Sequence, residues 1–299
     1  MNKILFTIDL DEWYHARWCT GSDFSRWATT EDFFRDYYGQ DHPIGELTEP
    51  VHYILDVLAR YQVKGTFIVL GEVARHYGGL LREVVERGHE IACHGLRHKD
   101  MDRLSKEEFV AEVSEARAII EDVTGQAVRG FRAPNAVLPP YLVEALREIG
   151  FAFDSSLFPS LKFLGKYGYT RAPLHPYVPS CDDIELPGVS GIVELPIAVF
   201  PGIGLVAGSG IFTRVFGYWW TKAALKRLLH TGDTVYYFHP YELMPAPRLD
   251  GLSFSQKVFL WNTGDTMRRY FHRLMQDFEG RFAVFDQLNV VQAIRPAEG

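Results

Sequence analysis

Residues 90–98 read Glu90-Ile91-Ala92-Cys93-His94-Gly95-Leu96-Arg97-His98, a short strand-like run followed by two histidines four positions apart. The run 90–93 is typical of a buried strand that delivers His94 at its carboxyl end. Side chains four residues apart share one face of a helix, so we expect both imidazoles to reach one metal ion. The alternative interpretation is that the spacing is incidental and that no metal binds.

A carboxylate pair near residue 10 supplies a candidate third ligand. The stretch Thr7-Ile8-Asp9-Leu10-Asp11-Glu12 follows an apolar run and reads as the end of a β-strand. Because alternate side chains of a strand point to the same face, Asp9 and Asp11 share one side of the sheet. Two histidines and one carboxylate leave open positions on a metal ion, which suits catalysis better than a structural role.

The rest of the chain alternates predicted strands and helices. Predicted strands cover 3–8, 65–70, 90–93, 128–131, 151–153 and 234–238, and predicted helices cover 31–38, 47–61, 72–87, 106–123, 140–149, 222–230 and 265–278. This alternation predicts an α/β fold with a mainly parallel sheet, in one domain spanning 1–299. Much of 160–232 breaks the pattern and predicts long loops and short strands over the core.

Polar side chains follow several of these strands at the point where each strand ends. In barrels and open α/β sheets that edge carries the functional site. The candidates there are Asp9, Asp11, His94, Arg132, Asp154 and His239. His15 lies close to the carboxylate pair, and we expect it either to touch the substrate or to lie on the surface.

Composition excludes some classes of function. The 299 residues are 47% hydrophobic, enough for a substantial core, and the formal net charge of −7 argues against general nucleic-acid binding. Three cysteines do not make a disulfide framework, so we expect reduced, buried thiols. Cys93 adjoins His94, but its side chain would point the other way, which favours a small core residue over a ligand.

The apolar run at 4–6 is too short for a signal peptide, and no run of 18 apolar residues occurs, so we expect a cytoplasmic protein. Leu195–Trp220 comes nearest to a span, but glycines, Pro201 and Arg214 interrupt it. Together with the nearby Lys222, it suggests a peripheral membrane contact near the site mouth. The alternative is that it packs over the barrel. The oligomeric state stays open.

Five motifs in order resemble the polysaccharide deacetylases of the NodB type, carbohydrate esterase family 4. They are Thr7-Ile8-Asp9-Leu10-Asp11, His94-Gly95-Leu96-Arg97-His98, Arg132-Ala133-Pro134-Asn135, Asp154-Ser155-Ser156 and Tyr237-Phe238-His239-Pro240. The resemblance runs from residue 3 to about residue 242. It implies a distorted (β/α)7 barrel and a divalent metal ion, commonly zinc.

The resemblance also implies roles for individual residues. The metal ligands would be Asp11, His94 and His98. Asp9 would be the general base, held ionised by Arg132, and His239 would be the general acid. The backbone N–H of Asn135 would stabilise the oxyanion.

Three departures from the family pattern bear on the substrate. Leu10 separates the two aspartates, Ala136 stands where glycine is usual, and Ser155-Ser156 follows Asp154 where a tryptophan is usual. They make a long polymer substrate less certain and are closer to deacetylase-like proteins of cell-surface polysaccharide biosynthesis. Asp154 either caps the following turn or orients His239, for which Tyr241 and Glu242 are other candidates.

These residues predict a metal-dependent hydrolase that removes an acetyl or formyl group from an amino sugar. Its partner would be a nucleotide-linked, lipid-linked or oligosaccharide N-acyl sugar, with no nucleic acid involved. The first alternative is an amidohydrolase acting on a small non-sugar amide. The second is a non-catalytic glycan-binding module of the same fold.

Overall fold

The computed structural model describes residues 1–162 and 168–288. Within these residues one sheet forms the centre of the molecule. Its strands are β1 (Ile4–Leu10), β2 (Thr66–Val69), β3 (Glu90–Cys93), β4 (Gly130–Phe131), β5 (Phe153–Asp154), β6 (Val193–Glu194), β7 (Thr234–Phe238) and β8 (Phe282–Ala283).

Helices surround this sheet. They are α1 (Thr30–Tyr38), α2 (Thr48–Arg60), α3 (Gly71–His76), α4 (Gly78–Glu86), α5 (Lys106–Thr124), α6 (Leu142–Ile149), α7 (Gly210–Phe216), α8 (Tyr218–Leu228), α9 (Phe254–Phe259) and α10 (Asp265–Asp277). Four short 3₁₀ helices complete the described structure, at Trp13–His15, Pro134–Ala136, Pro240–Leu243 and Phe285–Gln287.

The sheet is parallel and curved into a half-barrel. The strand order is β6-β5-β4-β3-β2-β1-β7, and β8 pairs with the first residues of β1. Two isolated parallel bridges, Ile197 with Val235 and Ser209 with Tyr237, connect the segment after β6 to β7. The predicted α/β class and distorted barrel are therefore confirmed.

Alternation along β1 places its apolar side chains in two different clusters of the core. Ile4, Phe6 and Ile8 pack against the helices, whereas Leu5 packs inside the barrel with residues of β2, β3 and β7. Since the side-chain period of a strand is two, Asp9 continues the inward-facing set. Strand β1 therefore contributes core side chains on both of its faces and places Asp9 in the barrel interior.

Predicted boundaries hold best where capping signals are strong. Ser105 accepts a hydrogen bond from the Glu108 N–H at 3.2 Å, and Gly125 ends α5 in the left-handed conformation, as predicted. The predicted single helix 72–87 is wrong: it divides into α3 and α4 at Tyr77, just before Gly78-Gly79. Glycine disfavours a helix interior, which accounts for the break.

The structure also bears on the predictions of reduced thiols, of buried thiols and of no membrane-spanning segment. All three cysteines are free, and Cys19 and Cys93 are buried, but Cys181 is exposed, so the expectation of buried thiols is wrong for Cys181. Among the described residues, no helix is long and apolar enough to span a membrane.

Candidate active site

A cavity of about 540 Å³ opens at the carboxyl ends of the strands. Seven of the eight predicted site residues line it, and the eighth, Asp154, does not. The seven are Asp9, Asp11, His94, His98, Arg132, Asn135 and His239. The remaining lining is largely apolar and includes Phe158, Ile211, Phe212 and Val258.

Asp11, His94 and His98 form a candidate metal centre. One ligand atom from each lies within 4.8 Å of the other two, and all three side chains are buried. Nε2 of His98 is 3.6 Å from Oδ2 of Asp11. The expected convergence of the two histidines is therefore present.

The segment between the histidines differs from the expectation. Residues 94–98 form a loop and not a helix, so the argument from a shared helical face is wrong. The loop turns at Gly95, whose φ of +85° is strained for residues with a side chain, and a Cβ there would lie 2.4 Å from Cε of Met101. A tight turn, not helical periodicity, brings the two imidazoles together.

Both histidines of the candidate metal centre lie in surroundings that favour the neutral imidazole. Nδ1 of His94 donates to the carbonyl oxygen of Arg132 at 2.7 Å, which leaves Nε2 with its lone pair facing the cavity. Burial lowers the pKa of His94 to about 4 and lowers that of His98 well below its ordinary value. Neutral imidazole is the form that binds metal ions.

Asp11 is the carboxylate of this group. Its Oδ1 is buried without a hydrogen-bond partner among the described residues, 3.8 Å from Nε2 of His239. Burial raises the pKa of Asp11 to about 6, against the lowering effect of His239 and His15. An unpartnered buried carboxylate oxygen beside two neutral imidazoles fits a cation.

Asp9 has a different environment from Asp11 although both face the cavity. Nη1 of Arg132 donates to Oδ1 of Asp9 at 2.5 Å and to Oγ1 of Thr7 at 2.9 Å. Nε of Arg132 is held in turn by the carbonyl oxygen of Ser155 at 2.8 Å. The predicted pairing of Asp9 with Arg132 is present in the structure.

His239 follows β7 and is oriented by Glu242. Nδ1 of His239 lies 2.8 Å from Oε1 of Glu242, so Nε2 faces Asp11. Burial lowers the pKa of His239, but the carboxylates of Asp11, Glu242 and Asp9 outweigh it and raise the pKa to about 9. The hypothesis that Asp154 orients His239 is wrong.

Strand alternation explains where Asp154 goes instead. Phe153 packs inside the barrel, so Asp154 points to the opposite face, where it pairs in register with Glu194 of β6. Oγ of Ser156 donates to Asp154 at 2.5 Å. Burial raises the pKa of both Asp154 and Glu194. The neighbouring Asp154 carboxyl raises the pKa of Glu194 further, whereas the hydrogen bond with Glu194 lowers that of Asp154.

Asn135 lies in a strained turn at the cavity wall. Its φ is +55° and that of Ala136 is +49°, left-handed values that residues other than glycine seldom adopt. The side-chain amide of Asn135 donates to the carbonyl oxygen of Gly21 at 3.0 Å and to Oδ1 of Asp100 at 3.1 Å. The role of its backbone N–H stays a prediction.

His15 is buried, so its alternative as a surface histidine is wrong. Nδ1 of His15 accepts from the Glu12 N–H at 2.8 Å, and its Nε2 lies 3.4 Å from Oε1 of Glu72. The ring centroid is 6.0 Å from that of His98. His15 therefore packs beside His98. Its closeness to the carboxylate pair in the sequence was the signal that pointed to this site.

Comparison with known proteins gives two family matches. Residues 40–153 match the family model for polysaccharide deacetylase, and residues 155–289 match a model for a domain of unknown function, DUF3473. Strands from both sides of this border join the same sheet. Asp9 and Asp11 precede the first match, and His239 lies within the second.

Curated relatives match over shorter stretches. The chain is 36% identical over 85 residues to a chitooligosaccharide deacetylase of Sinorhizobium fredii, which covers 28% of this chain and 40% of that protein. It is 33% identical over 100 residues to another of Bradyrhizobium sp., covering 33% and 46%. The matches therefore span less than half the length of these relatives.

Solved structures match over almost the whole chain. A Mycobacterium smegmatis protein assigned as a polysaccharide deacetylase gives a TM-score of 0.64 at 22% identity, covering 99% of this chain and 91% of that one. The allantoinase PuuE gives 0.61 at 14% identity, covering 97% and 88%. At these identities the likeness shows a shared fold.

Fold and site together define a protein of the polysaccharide deacetylase fold with a candidate metal centre at the carboxyl ends of its strands. The family match over 40–153 and the similarity to chitooligosaccharide deacetylases support the predicted resemblance to polysaccharide deacetylases of the NodB type.

Proposed function

We propose that this protein is a metal-dependent hydrolase that removes an N-acyl group, acetyl or formyl, from an amino sugar. The products are a free amine and the corresponding carboxylate. One observation carries the proposal: the triad Asp11, His94 and His98 shares a single cavity with the Asp9–Arg132 pair and with His239.

The triad fits a divalent metal ion. Its two imidazoles are held neutral, and Asp11 presents a buried oxygen without a partner among the described residues. When bound, a divalent ion, with zinc expected, supplies Lewis acidity that polarises an acyl carbonyl and activates water.

The remaining residues perform the proton transfers. Asp9 accepts the proton of the attacking water, because Arg132 holds its carboxylate in one orientation toward the cavity. His239 donates a proton to the leaving amine nitrogen, which is too basic to depart unprotonated. The N–H of Asn135 donates to the oxyanion of the tetrahedral intermediate.

The substrate we propose is an N-acyl amino sugar on a nucleotide, a lipid carrier or an oligosaccharide, used in cell-surface polysaccharide biosynthesis. The named activities of the chitooligosaccharide and peptidoglycan deacetylase relatives support an N-acetylated sugar. The apolar wall formed by Phe158, Ile211, Phe212 and Val258 favours a substrate with an apolar part, as in the lipid-linked form.

A peripheral membrane contact through residues 195–220 is part of this proposal. Ile211 and Phe212 line the cavity, and Trp219 is 65% exposed. Arg214, however, is fully buried against Glu242, so it is no surface cation. Absence of pelleting with anionic vesicles at low salt, with full activity on a nucleotide-linked sugar, would contradict the contact.

The cytoplasmic location is likewise proposed, and the free thiols support it. Cell fractionation with antibody detection tests it. Recovery of the protein from an oxidising compartment, with Cys181 in a mixed disulfide, would contradict it.

Acyl release tests the proposed function. The purified protein, depleted of metal and then loaded with zinc or cobalt, is incubated with nucleotide-linked, lipid-linked and oligosaccharide N-acetyl and N-formyl sugars. We expect a metal-dependent mass loss of one acyl group. Hydrolysis of allantoin-like small amides alone would favour the amidohydrolase alternative, whereas tight glycan binding without turnover would favour the binding module.

A further inference from the structure

We propose that Arg214 and Glu242 are positioning residues that hold His239 in the orientation for proton donation. This rests on the proposed function, in which His239 is the acid. The three residues come from α7, from the 3₁₀ helix Pro240–Leu243 and from the end of β7. They form a continuous buried chain from the cavity into the protein.

Glu242 fixes the imidazole through two contacts on one oxygen. Its Oε1 accepts from the backbone N–H of His239 at 3.0 Å and contacts Nδ1 of the same residue at 2.8 Å. The ring therefore cannot turn without breaking the second contact. Nε2 is left facing the cavity, 3.8 Å from Oδ1 of Asp11.

Arg214 holds the other oxygen of Glu242. Its Nε donates to Oε2 at 2.6 Å, and both side chains have no exposed surface. The guanidinium also donates to the carbonyl oxygens of Phe259, at 2.9 Å, and Trp261. With donors engaged on three acceptors, Arg214 fixes the carboxylate and links it to the end of α9, which borders the cavity.

The packing beside Glu242 leaves no room for a side chain. A Cβ built on Gly210 would lie 2.4 Å from both carboxylate oxygens of Glu242. Gly210 thus lets α7 approach the carboxylate closely enough for Arg214, four residues later, to reach it. This close approach offers a way to displace Glu242 without removing any charge.

Stability alone does not account for such an arrangement. A buried ion pair costs desolvation of both charges, and replacing one with apolar residues is often neutral or stabilising. Here the pair ends on a histidine whose free nitrogen faces the proposed metal ligands. These contacts instead fix which ring nitrogen of His239 faces the cavity, so we assign the pair a geometric function.

Kinetics of Glu242→Gln and Gly210→Ala test the proposal. We expect kcat for N-acyl sugar hydrolysis to fall 10- to 100-fold in each, with KM within about threefold and metal content unchanged. The double variant His239→Ala/Glu242→Gln should be no slower than His239→Ala alone, because the two act as one unit. Unchanged kcat in both single variants, or fully additive losses in the double variant, would overturn the proposal.

Matched controls separate positioning from general damage. Glu90→Gln alters a buried carboxyl at the other end of β3, and Gly188→Ala creates a similar clash with Cα of Ser180, 2.6 Å away. Both should retain wild-type kcat. If Glu242→Gln does not fold, Gly210→Ala, which keeps every polar group, decides the question.

A spectroscopic measurement decides the case independently of turnover. In ¹⁵N-edited spectra of the full chain, with His239 assigned through His239→Gln, we expect a slowly exchanging proton on Nδ1 that Gly210→Ala weakens or removes. If no substrate is hydrolysed, the proposed function fails while this proton still supports the positioning. Absence of the proton on Nδ1 of His239 in the wild type would overturn the positioning proposal.

Discussion

Asp9 and Asp11 are two residues apart on one face, yet they have different neighbours. Asp9 is paired with a permanent cation, Arg132, at 2.5 Å, whereas Asp11 faces the neutral imidazoles of His94 and His98. A carboxylate already paired with arginine is a poorer metal ligand and a better-oriented base. The single intervening residue, Leu10, keeps both side chains on the inner face.

Removing one ligand tests the metal centre. We expect His98→Ala to lose its divalent ion and its activity while the fold survives, because His98 lies in a loop outside the strands. Metal analysis after dialysis and far-UV circular dichroism measure the two effects. About one ion per chain in the wild type and full occupancy in the variant would contradict the assignment.

Asp9→Asn separates a base from a ligand. The variant should keep the ion and lose roughly 10²–10⁴ in rate, the usual contribution of a general base. Metal content and kcat are measured on the same preparation. Loss of the ion in this variant would instead make Asp9 a ligand.

At the scale of elements, pairing of β4 with β5 depends on a glycine. A Cβ on Gly130 would lie 1.8 Å from Cε2 of Phe153, whose ring packs inside the barrel. We expect Gly130→Ala to lower the free energy of unfolding by about 1–3 kcal/mol through overpacking. Urea denaturation measures the change.

The same substitution elsewhere is the control. Gly79 in α4 has no atom within 4 Å of a built Cβ, so Gly79→Ala should stabilise the protein by about 0.4–1 kcal/mol. An equal effect of both alanines on the urea midpoint would contradict the packing argument for Gly130.

At the scale of the whole molecule, Glu90 connects β3 to the last described turn of the chain. Its carboxylate oxygens accept from the N–H groups of Phe285 at 3.0 Å and Asp286 at 2.9 Å. Burial raises the pKa of Glu90 to about 7, and the hydrogen bonds offset that only in part. Its charge is therefore less favourable in the folded than in the unfolded chain.

The raised pKa of Glu90 makes the free energy of unfolding depend on pH, because proton binding and folding are linked. Between the ordinary pKa of about 4.5 and the folded value of about 7, the folded state binds more protons than the unfolded state. The contribution of Glu90 to stability therefore falls as pH rises through this window, by at most roughly 3 kcal/mol. We expect Glu90→Gln to flatten this part of the pH profile.

Urea unfolding at pH 5 and pH 8 measures the effect. The difference in free energy of unfolding between the two pH values should be smaller in Glu90→Gln than in the wild type. Glu107→Gln, at an exposed position in α5, should leave it unchanged. Identical pH dependence in the wild type and Glu90→Gln would contradict the assignment to Glu90.

Local patterns predicted much of this molecule because their causes are local. The strands at 90–93 and 234–238 lie where the apolar runs predicted them, and the capping box at Ser105 begins α5 as expected. Strand period also placed Asp9 on the inner face. The spacing of the histidines and of the carboxylate pair indicated the candidate ligands, and the family resemblance selected Asp11 as the third member of the triad.

Tertiary structure alone decided how the side chains meet. Gly95 turns the histidine segment into a loop, and inward-facing Phe153 directs Asp154 away from His239. In the sequence Arg214 only interrupts an apolar run, but folding brings it to Glu242, 28 residues later. The side-chain periodicity of a strand predicts which of its faces a residue occupies. Which residues then become partners depends on packing between elements far apart in the chain, because only that packing sets their distances.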